Sequence, residues 1–551
     1  ARRLAQRAKQ AAPALAEFSQ AQIDRIIDAA AGAATPRAEE FARLAVEETT
    51  YGVVADKVEK NLFSSEQVYR FIRPMKTVGV VARDEARKIV EIAEPFGVVA
   101  AIVPSTNPTS TAIYKILISL KARCPIVISP HPAATRCITR VAEVMGEAAA
   151  SAGAPAGAVN WMQTVTIEGT QELMKHRDVA VILATGGMGL VRAAYSAGKP
   201  AYGVGPGNAP CYIEKSADLA KAASDILVGK CFDNGVLCSS PNSVVVDAAV
   251  ADEVKRQFVS QGAYFMSPAE ADKLAAVLVS PQRLPNPKLV GKPASFLAEQ
   301  AGFSIPPKTR ALIAELRGVG RDYPLSIEKL CPVLSYYVVA DWHEGCERCI
   351  QILRYGGMGH TMSIHSRNED VILEFGLKKP AYRIVVNTPT THGSIGLTTG
   401  LDPAMTLGCG GFGGNITSDN ISPRHLLNIK RLAYETRPAV IRVEGQPASS
   451  AKNTPAEESR LPKVASPPAS AGIDAPSMRR QMDAFLGSAG TSPSASPDTG
   501  AVVPFVCEED VKQAIKIGRK IVIGERTIVT PAARDLAQAH RIFVTATWPQ
   551  T

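Results

Sequence analysis

Nowhere in the 551 residues do about 18 apolar residues run uninterrupted, so no membrane-spanning helix is expected. The opening ARRLAQRAKQ has charges with no apolar core behind them, which reads against a secretory signal. Ten cysteines are scattered without regular spacing, and the C-x-x-C of Cys346 and Cys349 has no second pair at zinc-ribbon distance. Reduced thiols in a cytosolic compartment are therefore expected, with no disulfide framework and no metal site. There is no Lys/Arg block interleaved with aromatics, which argues against nucleic acid. The net charge of +9 is mild for this length and suits an anionic cofactor or an acidic partner. No Gly-Lys-Ser/Thr completes a phosphate loop of Walker type, and GVGPGN at 203–208 does not match G-x-G-x-x-G.

What is present is an ordinary globular composition, 46% hydrophobic and 21% charged, with enough chain for two or three domains. The first 60 residues carry Phe18, Ile23, Ile26, Ile27, Phe41, Leu44 and Ala45 at helical spacing. At 76–93, TVGVVA and KIVEIA flank Arg-Asp-Glu-Ala, the pattern of a hairpin. A two-stranded ribbon is unstable alone in water, so this one is expected to pack on another subunit or domain. From Pro95 strands and helices alternate: a strand in FGVVAAIVPSTNP, a helix through 113–120, a strand in CPIVISPHPAAT, a helix through 141–150, then short apolar strands at 158–162 and 179–183. Such alternation implies a parallel, doubly wound sheet whose ligand lies beyond the strand carboxyl ends. At those ends stand Ser105, Thr106 and Asn107, then Ser129, Pro130, His131 and Pro132, then Thr185, Gly186, Gly187 and Gly189. Each is a weak signal alone; on successive strand ends they suggest a nucleotide site, because small residues let backbone approach a pyrophosphate.

Residues 231–247, CFDNGVLCSSPNSVVVD, place one thiol after an Asn-Gly turn. An expected helix over 216–230, with Leu219, Ala222, Ala223, Ile226 and Leu227 on one face, runs in; a β-branched run at 244–246 leads out. On such a connection Cys238 can be both positioned and exposed, and it becomes a nucleophile once its proton is removed. The competing reading is a small buried hydrophobe, the usual state of a free cysteine.

Seven ordered segments carry a family resemblance over about residues 1–435: EPFGVVAAIVPSTNPT (94–109), VISPHPAA (127–134), ATGGMGLVRAAYSAGKPAYGVGPGNAP (184–210), FDNGVLCSS (232–240), EKLCPVLS (328–335), GMGHTMSIHS (357–366) and MTLGCGGFGGN (405–415). The chain resembles a coenzyme A-acylating aldehyde dehydrogenase of bacterial microcompartments, and the resemblance implies propionaldehyde as the favoured substrate, with acetaldehyde second. The resemblance implies an α/β fold with a Rossmann-type NAD domain (1–235, including the hairpin near 76–93 as an oligomerisation ribbon), a catalytic domain (236–403) and a return segment (404–436). A homo-oligomer, dimer or tetramer, is expected with it.

The resemblance also implies roles. Cys238 adds to the aldehyde carbonyl, and Asn107 with the Cys238 backbone N–H stabilises the oxyanion. Hydride leaves to NAD, and the thioester left on Cys238 passes to coenzyme A, the co-substrate. Hydrolysing relatives use a glutamate to activate water; the matching region here is Gly203-Val204-Gly205, without an acid, which favours the acylating branch. Glu328, flanked by Pro332 and Val333, matches the acid that binds the nicotinamide ribose, and otherwise reads as a surface ion pair. Ser129, Pro130, His131 and Pro132 match the loop beside the adenosine ribose, with bracing of its own loop the alternative for His131. Ser105 and Thr106 join the cofactor group, and Thr185, Gly186 and Gly187 match the pyrophosphate segment. For His360 two readings stand, a group that orients or deprotonates the incoming thiol and a structural histidine bonded to backbone. One departure is Pro241-Asn242, where many relatives have Glu-Gln. The rival functions are a non-acylating dehydrogenase releasing free acid and a non-enzymatic scaffold or shell protein.

Beyond about 437 the composition turns to Ala, Pro and Ser at 447–468 and 488–504, expected as linkers within 437–505. Between them a short helix is expected over 477–486, with Met478, Met482, Phe485 and Leu486 on one stripe, stopped by Gly487. Residues 506–551 read as a small α/β tail: a helix through Val511, Ala514 and Ile515, a strand pair at 520–524 and 527–529, a helix capped by Thr530, and a strand at 542–544. This tail resembles extensions that direct enzymes into microcompartments, which implies shell proteins as partners of 437–551 and a place inside such a shell in the cytoplasm.

Overall fold

The computed structural model describes residues 1–437, 503, 505–523 and 527–545, in two compact units, Ala1–Ile441 and Arg442–Thr551. Apart from 437, 503 and 505, the expected linkers, and with them the helix expected over 477–486, lie outside the described residues.

In the first unit, Val98–Val103 is buried at every position. A strand apolar on both faces belongs inside a parallel sheet covered on both sides. It is the middle of five parallel strands, ordered Val159–Trp161, Ile126–Pro130, Val98–Val103, Val179–Thr185 and Ala201–Val204. Strand order reverses beside Val98–Val103, so a crevice opens past its carboxyl end. The helix Pro108–Lys121 that follows starts on proline, where no N–H bond is lost, and is buried along its whole length. Gln20–Ala34 and Thr135–Ser151 pack against it. Its two lysines find partners: Lys115 donates to the carbonyls of Ile102 (2.7 Å) and Leu183 (3.0 Å), Lys121 to Asp24 (2.6 Å).

A second sheet has seven parallel strands, ordered Ala263–Phe265, Ala311–Glu315, Val333–Val339, Pro241–Asp247, Ala209–Ile213, Gly359–His365 and Ala381–Val386. The boundary expected at 235 is therefore corrected. Ala209–Ile213 pairs on both edges with strands of the second sheet, so the chain changes sheet between Val204 and Ala209. Short buried strands of both sheets have the same apolar character, and only pairing assigns them.

The expected two-stranded ribbon is also corrected. Gly79–Asp84 and Ile89–Pro95 pair antiparallel, and Leu427–Ala433 adds a third strand along Ile89–Pro95. The return segment thus covers one edge of the ribbon from within the same chain, lowering the number of open backbone groups. It also touches the five-stranded sheet, where the Tyr202 hydroxyl donates to the His425 carbonyl at 2.9 Å.

In the second unit the expected strand pair does not form. Ile521–Ile523 pairs with Phe543–Thr545, and Ile528–Val529 with Phe505–Val506, both in parallel. Each pair is joined across a helix, Pro531–His540 or Glu508–Lys516, and such crossovers are how parallel neighbours are connected. Val506, Val511, Ala514, Ala533, Ala537 and Ile542 make its core.

Candidate active site

The crevice at the end of Val98–Val103 is a cavity of about 590 Å³ whose wall includes Cys238, Asn107 and Glu328. Its lining draws on both sheets: Ser105, Thr106, Pro130, His131, Pro132, Thr185, Gly186 and Gly187 from the first, and Val236, Glu328 and Leu330 from beside the second. Gly187 caps the helix Met188–Tyr195 without a side-chain hydrogen bond, and a Cβ on Gly187 or Gly189 would meet nothing within 4 Å. Backbone N–H groups at an uncapped helix start, with open space before them, fit a pyrophosphate. His131 also braces its own loop, its Nδ1 accepting from the Ala133 N–H at 3.1 Å.

The turn before Cys238 has a local cause. Helix Leu219–Cys231 is capped at its start by Asp218 and ends at Phe232. Asp233, Asn234 and Gly235 then take φ of 49°, 52° and 75°, three successive left-handed residues that reverse the chain before Pro241–Asp247. Cys238 lies past this turn, half-open to the cavity. Burial pushes its thiol up to about 12, with the neighbouring Glu328 adding to the shift. Gly207 lies so near that a Cβ there would stand 2.1 Å from the Cys238 carbonyl oxygen, so only glycine fits.

Behind the turn is a group of buried charges. Asp233 is fully buried, and its carboxylate accepts from the Val53 N–H (2.7 Å), from Lys57 Nζ (2.9 Å) and from Lys60 Nζ. The Asp233 N–H in turn donates to Asp56 at 2.6 Å. Lys60 also donates to Asn107 Oδ1 at 2.6 Å, and Lys57 to the Thr106 carbonyl at 3.3 Å. Room for the Asp233 carboxylate exists because Gly52, at φ 79°, has no side chain; a Cβ there would meet Oδ1 at 1.9 Å. Sequence reasoning missed Lys57 and Lys60, because lysines three apart on a helix, Val54–Leu62, read as a solvated face.

On the opposite wall Glu328 Oε1 accepts from the Gly207 N–H at 2.9 Å, and burial pushes its carboxyl up to about 8. Asn242, half of the departure noted in the sequence, ties this wall together. Its Oδ1 accepts from the Lys329 N–H (3.1 Å) and Lys230 Nζ (3.2 Å), while its Nδ2 donates to the Gly207 carbonyl (3.3 Å). Among the described residues lining the cavity, Glu328 is the only carboxylate, and no lysine or arginine is present.

Four expected site residues do not reach the wall. The Ser129 hydroxyl lies 2.8 Å from that of Thr170 beneath the loop. Gly203 faces Tyr195, and the Pro332 carbonyl accepts from the Leu312 N–H inside the second sheet. His360 is buried behind Gly207, its Nδ1 2.9 Å from the Thr361 hydroxyl. Burial pushes the His360 imidazole down to about 3, so at neutral pH it is uncharged and a poor proton acceptor. In their place the helix Ile167–Lys175 contributes Thr170, Gln171 and Met174, which no sequence motif marked. Cys346 and Cys349 are buried on the helix Trp342–Tyr355, and among the described residues no group of three His, Cys, Asp or Glu is arranged to hold a metal ion.

Residues 1–277 match the model of the aldehyde dehydrogenase family. The chain is 42% identical over 435 residues to a bifunctional aldehyde-alcohol dehydrogenase of Escherichia coli, covering 78% of this chain and 49% of the relative. It therefore spans about half the length of that relative. An acetylating succinate-semialdehyde dehydrogenase of Clostridium kluyveri is 37% identical over 439 residues, 80% of this chain and 96% of that protein. Among solved structures, an acetylating aldehyde dehydrogenase from Geobacillus thermoglucosidasius superposes with a TM-score of 0.79 at 48% identity, covering 80% and 97% of the two chains. A propionaldehyde dehydrogenase from the fucose-utilisation microcompartment of Clostridium phytofermentans gives 0.71 at 29% identity (78% and 96%). One from Rhodopseudomonas palustris with bound propionyl-CoA gives 0.71 at 26% (78% and 93%). With a thiol, an amide and one carboxyl meeting in a crevice between two parallel sheets, the chain belongs to the aldehyde dehydrogenase family, on the side of its acylating members.

Proposed function

We propose that this chain oxidises a short aldehyde and delivers the acyl group to coenzyme A through a thioester on Cys238. A bound nicotinamide cofactor supplies the hydride acceptor. Thr185, Gly186 and Gly187 hold its pyrophosphate, Pro130, His131 and Pro132 flank its adenosine, and Glu328 holds the nicotinamide ribose. That the described residues lining the cavity include no lysine or arginine supports NAD over NADP, whose 2′-phosphate such a site meets with an arginine. Asn107 Nδ2 and the Cys238 N–H stabilise the oxyanion when the thiol adds to the aldehyde.

The observation that carries this reading is the single carboxyl of the wall. Val204 faces the cavity where hydrolysing members have an acid, and Glu328, held at about 8 by burial, is mostly protonated at neutral pH. The wall offers no carboxylate that is mostly ionised at neutral pH to take a proton from water, so the thioester persists until a second thiol arrives. NADH absorbance with acetaldehyde or propionaldehyde should show at most one turnover per site without coenzyme A, and steady formation with it. Sustained turnover to free acid in its absence would sink the reading. The acetylating structural neighbour at 48% identity supports a two-carbon aldehyde, and the more distant propionaldehyde dehydrogenases a three-carbon one.

We further propose that residues 437–551 address the enzyme to a bacterial microcompartment. The supports are the resemblance of the tail and the microcompartment enzyme among the structural neighbours. A fluorescent reporter carrying 437–551 should co-purify with co-expressed shell proteins. If it is retained no better than the bare reporter, the tail is not an address.

A further inference from the structure

We infer that Lys60 is the positioning residue for the oxyanion donor, holding the Asn107 amide with its N–H₂ toward the thiol and tying it to the nucleophile turn through Asp233. The inference rests on the roles proposed above for Asn107 and Cys238.

An asparagine amide has two ends of nearly equal shape and opposite hydrogen-bonding sense, and only one orientation presents donors to an oxyanion. Asn107 sits at the start of helix Pro108–Lys121 without capping that helix through its side chain, so the helix does not choose the orientation. Lys60 does. Its Nζ donates to Oδ1 at 2.6 Å, while Nδ2 has only a 3.3 Å contact with the hydroxyl of adjacent Thr106. An ammonium has three donors and no acceptor, so a flipped amide would set N–H against N–H at a buried site.

The same ammonium contacts the Asp233 carboxylate, on the turn that leads to Cys238. One buried cation thus joins the donor, at the end of one sheet, to the nucleophile turn, which leads into the middle strand of the other. Lys57 has a separate task. It shares Asp233 but reaches the Thr106 carbonyl rather than Asn107, so Asp233 keeps a buried counter-charge when Lys60 is replaced. Charge on Lys60 also polarises the Asn107 carbonyl and makes its N–H₂ a stronger donor.

The test is a double-mutant cycle on the acylation half-reaction: single-turnover NADH formation from acetaldehyde with saturating NAD and no coenzyme A. Lys60→Met should slow acylation by about ten- to a hundredfold, and by less than about twofold in an Asn107→Ala background, since it would act through a group no longer there. NAD affinity, read by quenching of protein fluorescence, should stay within about twofold, which a general loosening of the site would not allow. Lys60→Gln, which keeps a neutral donor but can also accept, should fall between wild type and Lys60→Met, and supplies the cycle if the methionine variant does not fold. Equal losses in both backgrounds, or a Lys60→Met enzyme as fast as wild type, would overturn the inference. Because coenzyme A is left out, an acyl-enzyme that later fails to react with it counts against the proposed function alone.

Discussion

Replacing Cys238 by alanine should remove aldehyde-dependent NADH formation, by at least about a thousandfold, with the fold and NAD binding intact. Alanine keeps the backbone N–H and loses only the thiol, and among the described residues no other cysteine lines the cavity. The wild-type thiol should show why it needs activation. With its pKa pushed up to about 12, chiefly by burial, nearly all of it is protonated at neutral pH. Below a raised pKa the thiolate fraction grows about tenfold per pH unit, so iodoacetamide labelling of Cys238 in the cofactor-free protein should climb at that slope from about pH 7 to 9. Mass spectrometry of the Cys238 peptide separates this labelling from that of the partly exposed Cys231 and Cys507. A plateau below pH 9, or residual turnover in the alanine variant, would mean that another group lowers the thiol's pKa or that another nucleophile carries the acyl group.

Asp233→Ala is expected to cost about 3–5 kcal/mol of folding stability, the range for removing one partner of a buried ion pair. Asp233 is fully buried and both lysines that meet it are 2% exposed, so neither gains water when the carboxylate is lost. Asp56 stands nearby, but its carboxyl is itself pushed up by burial and already accepts from the Asp233 N–H, so it replaces the lost charge only in part. The measurement is the urea midpoint at unchanged m-value. A loss below about 1 kcal/mol would show that the two lysines find other partners when the carboxylate is gone. Activity should fall with stability, because the left-handed turn at 233–235 loses the Val53 N–H and both ammonium groups that hold it.

Several features were legible in the chain because their causes are local. The helix ending before Asn234-Gly235, the thiol after it and the β-branched strand beyond follow from periodicity and turn chemistry within some thirty residues. Strand-end clusters at 105–107, 130–132 and 185–187 line one cavity, since alternating strands and helices in a parallel sheet bring carboxyl ends together. Other expectations failed where the outcome depends on partners distant in sequence. Ser129 belongs to a clustered strand end, but adjacent side chains of a strand point to opposite faces, and its hydroxyl meets Thr170 instead of the cavity. Gly203 and Pro332 are taken up in sheet and packing contacts, and His360 lies one layer behind Gly207.

The sequence by itself determined the parallel α/β architecture, the place of Cys238 after its turn and the lack of an acid at Val204, since each is written in residues adjacent in the chain. Tertiary structure alone decided that Ala209–Ile213 joins the second sheet, that Leu427–Ala433 completes the ribbon, and that Lys57 and Lys60 lie beneath the active site. A lysine on a short helix looks solvated until a carboxylate some 170 residues away is folded against it; burial and pairing are properties of the packed chain.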